Sequence, residues 1–483
     1  MSDLLATLGV SSGALAVYDQ AFAVVQNNVA NSSTPGYADQ EMAFEAGPFD
    51  PQEDIYGGVQ AGQVQSTRDQ YAEQAVRQQT TLLGNANQLV SSLTTLQSAF
   101  PVTADTGIPS ALNQLFQAFS AWSTSPDDGT AQQSVLNGAS AVATAFQQTA
   151  SQLAGVASDT EQQIQQTVGD VNNLVSQLQA DNVQIQNGGQ NDAGLDAQIT
   201  NTLDQLSQYV DITVLPQSDG TKTVLLNGQT PLLVGADQYQ ISTDLNQPSS
   251  PPPVYASGPS SAQILASDGT DITAQTTGGQ LGALLNIYNS VLPSYIGNSS
   301  EQGSLNQMAQ QFADTVNNLL TSGNVTDGPP AVPGSALFTY DLADGTQVAQ
   351  SLAVNPDITP GQLAAIDPGP PEVSNGIALQ LAQMADPQNS SQEINGLSYT
   401  QFYGNMAAQV GTQLDNAQNT QQSQQSALTQ AQTIRQQASG VSLDQEATEM
   451  IQYQQAYEAN AQMVTILDQL SQDVIYMMQE GNT

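Results

Sequence analysis

The sequence contains no cysteine, no histidine and only four basic residues, which are Arg68, Arg77, Lys222 and Arg435. These absences exclude disulfide bonds, thiolate nucleophiles, histidine bases and zinc sites built from His or Cys. A Ser-Lys hydrolase could be built only around Lys222, and the spacing suggests neither such a pair nor a catalytic pair of carboxylates. We therefore expect no catalytic residues, no bound metal and no cofactor.

Charged residues of both signs are scarce. The 44 acidic residues stand against 4 basic ones, and the formal net charge of -40 at pH 7 opposes binding to nucleic acid or to an anionic lipid surface. No apolar run approaches the roughly 20 residues of a membrane span. The first residues also lack the basic segment of a cleavable signal peptide. Neither nucleic acid nor a membrane is therefore an expected partner.

The two chain ends carry apolar residues at heptad spacing, which predicts a helix at each end. Ser11 interrupts the N-terminal stripe, and Pro35 and Gly36 end that helix. The C-terminal helix begins with a capping box formed by Ser442 and Gln445. The predicted assembly seam consists of Leu4, Leu8, Leu15, Tyr18, Phe22, Val25 and Val29 at one end and of Leu443, Met450, Tyr453, Tyr457, Val464, Leu467 and Val474 at the other.

Each end helix needs a partner, because an isolated helix with few ion pairs is only marginally stable in water. Their terminal positions favour an antiparallel pair between the chain ends, with apolar surface left over for neighbouring subunits. The alternative is that both are ordinary amphipathic helices of one globular core. Under the first interpretation, the paired chain ends bind neighbouring subunits.

The middle of the chain is predicted to be mostly helical. Ala- and Gln-rich patterns indicate helices at roughly 66–100, 110–123, 130–187, 192–209, 300–321 and 397–438. Short strands are predicted between 210 and 279, with a turn at Asn227 and Gly228. Together these helices predict a helical rod. The region 323–392 is rich in Pro, Gly and Asp, which predicts a loop-rich module that protrudes from this rod. The run PSSPPP at 248–253 predicts a stiff connector.

The length of 483 residues is too great for one ordinary core, so several domains are expected. The predicted fold class is mainly α with smaller β modules, in an elongated, segmented multidomain protein whose N- and C-terminal helices pair as a coiled coil. The predicted divisions are 1–65 for the first part of the terminal coiled-coil domain, 66–209, 280–322 and 393–440 for three parts of a helical rod, 210–279 for a β-containing module, 323–392 for the outward module and 441–483 for the C-terminal helix.

Several short motifs are better explained as turns or as chance matches than as calcium or glycosylation sites. Asp127 with Asp128, and Asp268 with Asp271, lack the spaced oxygen ligands of a calcium loop. Asp-Gly is first of all a turn signal. Tripeptides of the glycosylation pattern begin at Asn31, Asn298, Asn324 and Asn389. Such matches are frequent in chains rich in Asn and Ser, so we interpret them as chance.

Two terminal segments carry a family resemblance. NNVANSSTPGYADQ at 27–40 and SGVSLDQEATEMIQYQQAYEANAQMV at 439–464 resemble the end signatures of the flagellar axial proteins, which are the rod, hook and hook-associated families. Inner stretches that start at Gly57, Leu115 and Gln280 are most similar to the hook-associated protein 1 family of hook-to-filament junction proteins. Ala38 and Asp39 depart from the family pattern, because a basic or aromatic residue commonly follows the Pro-Gly-Tyr turn.

The resemblance implies a secreted, extracellular component of the bacterial flagellum that is exported by the type III apparatus and is not an enzyme. It implies a ring of about eleven subunits at the hook tip. Hook protein and hook-associated protein 3 would be the neighbours, and an export chaperone would bind the C-terminal helix before secretion. The alternative identities are hook protein or hook-associated protein 3, which share the end signatures. A more distant alternative is an adhesin or enzyme carried by the middle modules.

Overall fold

The computed structural model describes residues 2–50, 55–102, 106–245, 261–298, 300–341 and 348–480. The helices are α1 (Ser2–Asn31), α2 (Gln70–Ser98), α3 (Gly107–Thr124), α4 (Gly129–Gln184), α5 (Ala193–Tyr209), α6 (Gly279–Asn286), α7 (Pro293–Ile296), α8 (Ser304–Ser322), α9 (Val348–Ser351), α10 (Gly376–Gln383), α11 (Tyr399–Ser439) and α12 (Leu443–Glu480). The strands are β1 (Gln40–Ala46), β2 (Phe49–Asp50), β3 (Ile55–Tyr56), β4 (Val59–Ser66), β5 (Ile212–Pro216), β6 (Lys222–Leu226), β7 (Thr230–Val234), β8 (Asp237–Gln238), β9 (Ser242–Asp244), β10 (Gln263–Leu265), β11 (Asn324–Thr326), β12 (Val332–Pro333), β13 (Phe338–Thr339) and β14 (Ala353–Val354).

Local capping explains where the long middle helices begin. The side chains of Asp69, Asp128 and Asp192 accept hydrogen bonds from backbone N–H groups in the first turns of α2, α4 and α5. Ser398 and Gln401 form a capping box at the start of α11. Such side chains satisfy N–H groups that have no partner inside the helix. The predicted long helices of the middle region are confirmed as α2, α3, α4, α5, α8 and α11.

The chain ends form an antiparallel helix pair, α1 with α12, as the sequence predicted. The ring of Phe22 lies 6.4 Å from that of Tyr453, whereas Asn28, further along α1, contacts Glu446 at the start of α12. The two helices therefore run in opposite directions. The antiparallel strands β1 and β4 pack beside α1. Beyond them α2 packs along α11 and against α5 and α6.

The first large core is built by the end of α2, α3, the first half of α4, α8 and the first part of α11. Its fully buried aromatic side chains include Trp122, Phe119, Phe146 and Phe312. The ring of Phe312 lies 5.2 Å from that of Tyr399 and 5.7 Å from that of Phe338, in edge-to-face or tilted arrangements. Aromatic pairs in these geometries attract one another beyond the burial of their surface.

A second core is formed by the later half of α4, α5, α6 and the β-containing region. The strands β5, β6, β7 and β8 form one antiparallel sheet in chain order. The predicted turn between β6 and β7 is confirmed, with positive φ angles of 47° at Asn227 and 69° at Gly228. Val224, Leu232 and Leu233 are fully buried against the helices. The expected strands between 210 and 279 therefore have a helical support of their own.

The interpretation of 323–392 as an outward module is wrong. Buried apolar side chains from this region belong to the first core and include Leu337, Phe338, Val348, Leu352, Ile377, Leu381 and Met384. They occur at irregular spacing between Pro, Gly and Asp, so neither helical nor strand periodicity showed their burial. Asn317 of α8 also holds this region, because its side chain bonds to the backbone of Leu337 and Phe338. The other segment borders stay predictions.

α1 is more apolar than the sequence analysis above required, and it is covered by another helix. The expectation that no run approaches the length of a membrane span is wrong for α1, because residues 4–31 are long and apolar enough to cross a membrane by length and composition alone. Core helices of soluble proteins and signal sequences pass the same test. In this structure α1 packs against α12. The predicted connector at 248–253 lies outside the described residues.

Candidate functional site

An aromatic cluster joins the two end helices to the neighbouring β1–β4 sheet. The ring of Tyr453 lies 6.2 Å from Tyr18, 6.4 Å from Phe22 and 5.6 Å from Phe44. Phe22 also lies 6.3 Å from Tyr457. Four of these five rings belong to the predicted seam, the fifth, Phe44, lies on β1, and their packing fixes the register of the pair.

On α1 the buried face only partly matches the predicted seam. The heptad position of Leu4, Tyr18 and Val25 lies on it, whereas the position of Leu8, Leu15, Phe22 and Val29 does not. From residue 4 of this helix onward, where side-chain burial is described, the buried residues are Ser11, Ala14, Val17, Ala21, Val25 and Asn28. The predicted residues Leu4, Leu8, Leu15, Tyr18 and Phe22 are half-buried, and Val29 is exposed. Ala14 and Ala21 are the small residues of this buried face, and the larger apolar side chains that flank them are only half-buried. The role of these flanking residues in contacts between subunits stays a prediction.

On α12 the predicted residues lie on the face that meets α1, with one exception. Leu467 is buried, and the half-buried residues are Met450, Tyr453, Tyr457, Val464 and Val474. Leu443 is 55% exposed and lies outside the helix pair. It occupies the first residue of the helix, before the contact with α1 begins. Any role of Leu443 in assembly stays a prediction.

Asn28 connects the end of α1 by hydrogen bonds to the segment that follows it and to α12. Its side-chain amide donates hydrogen bonds to the carbonyl oxygen of Gln40 (2.9 Å) and to Oε1 of Glu446 (3.2 Å). Its Oδ1 accepts hydrogen bonds from the backbone N–H of Gln40 (3.1 Å) and from the Tyr37 hydroxyl (3.0 Å). Every hydrogen-bonding position of this buried amide is thereby used. One side chain therefore connects α1, β1 and α12.

Two carboxyl groups meet at this joint. Asp39 and Glu446 are both buried, and their Oδ1 and Oε2 atoms accept no hydrogen bond from any donor among the described residues. Burial, followed by the charge of Asp39, raises the pKa of Glu446 to about 7. Burial also raises the pKa of Asp39, which the hydrogen bonds from Gln40 and Glu446 partly oppose. The pair is therefore arranged to share one proton near neutral pH.

All but one of the basic residues are arginines, and two of them anchor this joint to the helical middle. Nη2 of Arg68 donates to the carbonyl oxygen of Gly36 at 2.7 Å, and Arg68 also forms ion pairs with Glu73 (2.7 Å) and Asp196 (2.8 Å). Nη1 of Arg435 lies 3.2 Å from Glu73. We call this set the arginine anchor. It ties the turn after α1 to α2, α5 and α11.

Asp204 on α5 completes the arginine anchor, with its Oδ2 at 2.7 Å from Nη1 of Arg435. Burial lowers the pKa of Arg435, but attraction by Asp204 and Glu73 outweighs that effect and raises it. Gly36 lies against α5 with a φ of 78°, and a Cβ there would collide with the Ala197 carbonyl oxygen. The glycine of the Pro-Gly turn is therefore required by a close approach as well as by its backbone angle.

Ser439, at the end of α11, makes the remaining connection. Its carbonyl oxygen accepts a hydrogen bond from the N–H of Asp39 (2.9 Å), and its Oγ accepts one from the N–H of Asp69 (2.8 Å). The same hydroxyl donates to the carbonyl oxygen of Thr67 at 3.2 Å. The end of α11 is thus bonded to the residues that precede β1 and follow β4, which lie together at one end of the β1–β4 sheet. No local pattern in the sequence indicated the roles of Ser439, Arg68 and Arg435, although the scarcity of arginine was a signal.

The acidic motifs that could have suggested calcium have structural roles. Oδ1 of Asp128 accepts from the N–H of Thr130, which caps α4. Oδ1 of Asp268 accepts from the N–H of Thr270, and Oδ1 of Asp271 accepts from both the N–H and the hydroxyl of Thr273. Within the described ranges, no group of three or more Asp or Glu side chains is placed to hold a metal ion.

Comparison with known proteins gives consistent results along the chain. Residues 93–338 match the family model of the flagellar hook-associated protein FlgK helical domain, and residues 423–477 match that of the flagellar basal body rod FlgEFG protein C-terminal region. The chain is 27% identical to flagellar hook-associated protein 1 of Bacillus subtilis (strain 168), with 100% of both chains covered.

A solved structure shares the fold. The flagellar hook junction protein FlgK from Burkholderia pseudomallei superposes with a TM-score of 0.61 and 16% sequence identity, over 76% of this chain and 100% of that one. The family match to the helical domain alone covers more than half of the 483 residues. The joined chain ends, the arginine anchor and the helical cores are thus features of a chain that belongs to the flagellar hook-associated protein 1 (FlgK) family.

Proposed function

We propose that the protein is a structural subunit of the flagellar hook-filament junction, where it assembles with further copies and connects the hook to the filament. Family membership supports this role. The observation that carries the proposal is a second apolar stripe on α12, beside the face that meets α1. It consists of Met463, Ile466, Leu470 and Met477, which are 46% to 64% exposed.

This exposed stripe has the spacing of a helix contact. Met463, Ile466, Leu470 and Met477 follow one another at intervals of 3, 4 and 7 residues, so they lie on one side of the helix. Exposed apolar surface of this kind marks an interaction site, because covering it removes apolar area from water. A neighbouring subunit that supplies a similar helix would cover it. Folding of the end pair would then be coupled to assembly.

The finer details of the proposal follow the family. The copies would form a ring of about eleven subunits, with hook protein on one side and hook-associated protein 3 on the other. The chain would leave the cell through the flagellar export apparatus, with a chaperone on α12 beforehand, and would act outside the cell. The role would be purely structural, without catalysis. The match to the FlgK helical domain favours this identity over hook protein or hook-associated protein 3.

The test introduces a charge into the exposed stripe. Ile466→Glu should leave the chain folded but prevent its incorporation, because the new carboxylate would be buried between subunits without a partner. In a strain that lacks the native protein, electron microscopy should show bare hooks with secreted, unpolymerised filament protein. The circular dichroism spectrum and melting temperature of the purified variant should match those of the native chain.

Thr465→Glu is the matched control, because Thr465 is exposed on the opposite side of α12 and the added charge is the same. It should support normal filaments. Leu467→Glu changes the buried neighbour on the α1 side and should disrupt the end pair itself. Normal filaments with Ile466→Glu would show that the stripe is not the assembly surface.

A further inference from the structure

We propose that a cleft beside the arginine anchor binds a carboxylate carried on an aliphatic stem. The cleft lies between α2, α5 and the β5–β6 hairpin and has a volume of about 300 Å³. Three of the four basic residues of the whole chain line it, namely Arg68, Arg77 and Lys222. We call it the basic cleft. In a chain with a net charge of -40, this concentration of cations in one cavity calls for an anion.

Two of the three cations are available to a ligand. Arg68 is already held by Glu73, Asp196 and the Gly36 carbonyl oxygen. By contrast, the guanidinium of Arg77 makes no hydrogen bond or ion pair with any residue that the structure describes, and the same holds for the ammonium group of Lys222.

Arg77 is also partly removed from water. Burial lowers the pKa of its guanidinium, and the more distant charges of Asp204 and Glu73 only partly oppose that effect. A desolvated cation without a partner is costly, and a carboxylate is the group that matches a guanidinium in shape and charge. A bound carboxylate would therefore relieve an existing cost at Arg77.

The other walls of the cleft define the rest of the ligand. Its apolar lining consists of Leu203, Ile212, Val214, Leu215 and Pro216. An aliphatic stem can pack on this wall while its charged end reaches the cations. The carboxylates of Glu73 and Asp196 also line the cleft, which leaves one positive charge in excess. That balance fits a single carboxylate and disfavours a phosphate group of higher charge.

A carboxylate on an aliphatic stem has two sources. It is the end of an acidic side chain on a neighbouring copy, of which each copy carries 44, or it is a free aliphatic acid. The test therefore uses hexanoate as a small probe and then asks whether copies compete with it. The binding site does not depend on the role at the junction, because binding of the probe is measured on the isolated full chain.

Calorimetric titration with hexanoate at low ionic strength should show saturable binding to the native chain. The double variant Arg77→Gln/Lys222→Gln should bind at least about tenfold more weakly, and hexanamide, which lacks the charge, should bind no better than that variant. Gln78→Ala, an exposed change on the same helix, should leave binding unchanged. Lys222→Gln alone, on the hairpin, tests the site even if the double variant does not fold.

Equal binding of hexanamide, or native affinity in both cleft variants, would overturn the proposal, as would no binding of hexanoate to the native chain. Sedimentation analysis separates the two sources. If the carboxylate comes from a neighbouring copy, both hexanoate and the double variant should weaken self-association. If self-association is unchanged while hexanoate still binds, the cleft is a site for a free acid. A double variant that loses hexanoate but still forms filaments would leave the proposed junction role intact.

Discussion

The helical middle and the joined chain ends bury their apolar residues to very different degrees. In the middle, large side chains such as Trp122 and Phe312 are completely buried. Among the large apolar residues of α12 up to residue 477, whose exposure the structure describes, only Leu467 is buried, and Ile466 beside it is 52% exposed. The middle therefore has the packing of a self-sufficient domain, whereas the end pair has the packing of one part of a larger contact. A chain can keep a stable body and still present ends that are completed by neighbours.

The largest expected effect comes from removing residues 323–392 and closing the gap with a short linker. This change should unfold the first core, because its fully buried Leu337, Ile377 and Leu381 pack against α8 and α3. Each large side chain lost from a core costs about 2 to 5 kcal/mol, so several together exceed the usual stability of a domain. Urea denaturation followed by circular dichroism should show no cooperative transition for this core.

The matched deletion removes residues 441–483 from the other region of the comparison. It should leave a cooperative transition close to that of the full chain, because the two cores lie outside α12. A folded middle after loss of 323–392, or an unfolded middle after loss of 441–483, would contradict the conclusion that the helical middle folds independently of the joined chain ends.

An intermediate effect is expected at the boundary between the two regions. Glu73→Gln removes the carboxylate that Arg68 and Arg435 share, although Asp196 and Asp204 remain with them. We expect a loss of about 2 to 3 kcal/mol, below the 3 to 5 kcal/mol of a buried pair left without any partner. The measurement is the midpoint of urea unfolding.

Glu372→Gln makes the same chemical change at an exposed position and should stay within about 0.5 kcal/mol of the native chain. If the two variants are equally stable, the arginine anchor does not hold the ends to the middle.

The smallest effect is a pH dependence of the joint, caused by Glu446. The pKa of Glu446 is raised from 4.5 to about 7, so the folded joint binds a proton that the unfolded chain releases. Its free energy of unfolding should therefore rise as pH falls from about 7 towards 4.5 and decrease as pH rises through about 7. Hydrogen exchange, corrected for intrinsic rates, should show more protection around Asn28 at pH 5.5 than at pH 8.

Glu446→Gln should remove this difference and keep the protection at pH 8, whereas Glu458→Gln, an exposed change on the same helix, should not.

In the helical middle, burial also raises the pKa of Asp181, Asp204 and Asp211, so these groups likewise favour the folded state as pH falls. The full chain should therefore keep its melting temperature from pH 7 to pH 4. A steep fall over that range would show that attractive carboxylate contacts dominate.

Periodicity predicted those parts of the fold that are regular. The heptads gave the end helices and the inward face of α12, and the alternation around Asn227 gave the sheet of the second core. On α1 the preference for large apolar residues selected Leu15 and Phe22, which are half-buried, whereas Ala14 and Ala21 are buried. Hydrophobicity alone does not distinguish a residue that fills a contact from a small one that allows it.

The burial of 323–392, the joint and the arginine anchor depend on contacts between residues that are distant in sequence. Composition indicated that 323–392 was a surface module, because Pro, Gly and Asp dominate it, but the buried Leu337 and Val348 lie between them without a period. The joint needed Asn28 next to Glu446, and the arginine anchor needed Arg435 next to Glu73. Neither pairing has a local pattern, so a single sequence could not show it.

The contact between Asn28 and Glu446 also sets an order of events in time. The two residues are 418 positions apart, so the end pair cannot close until the chain has been synthesised as far as Glu446. Closing so long a loop is slow compared with the local contacts within α3, α4 and α8. The cores can therefore mature while α1 still lacks its partner. α12 is made after the residues of both cores and completes the contacts of α1, which makes closure of the end pair a late step of folding.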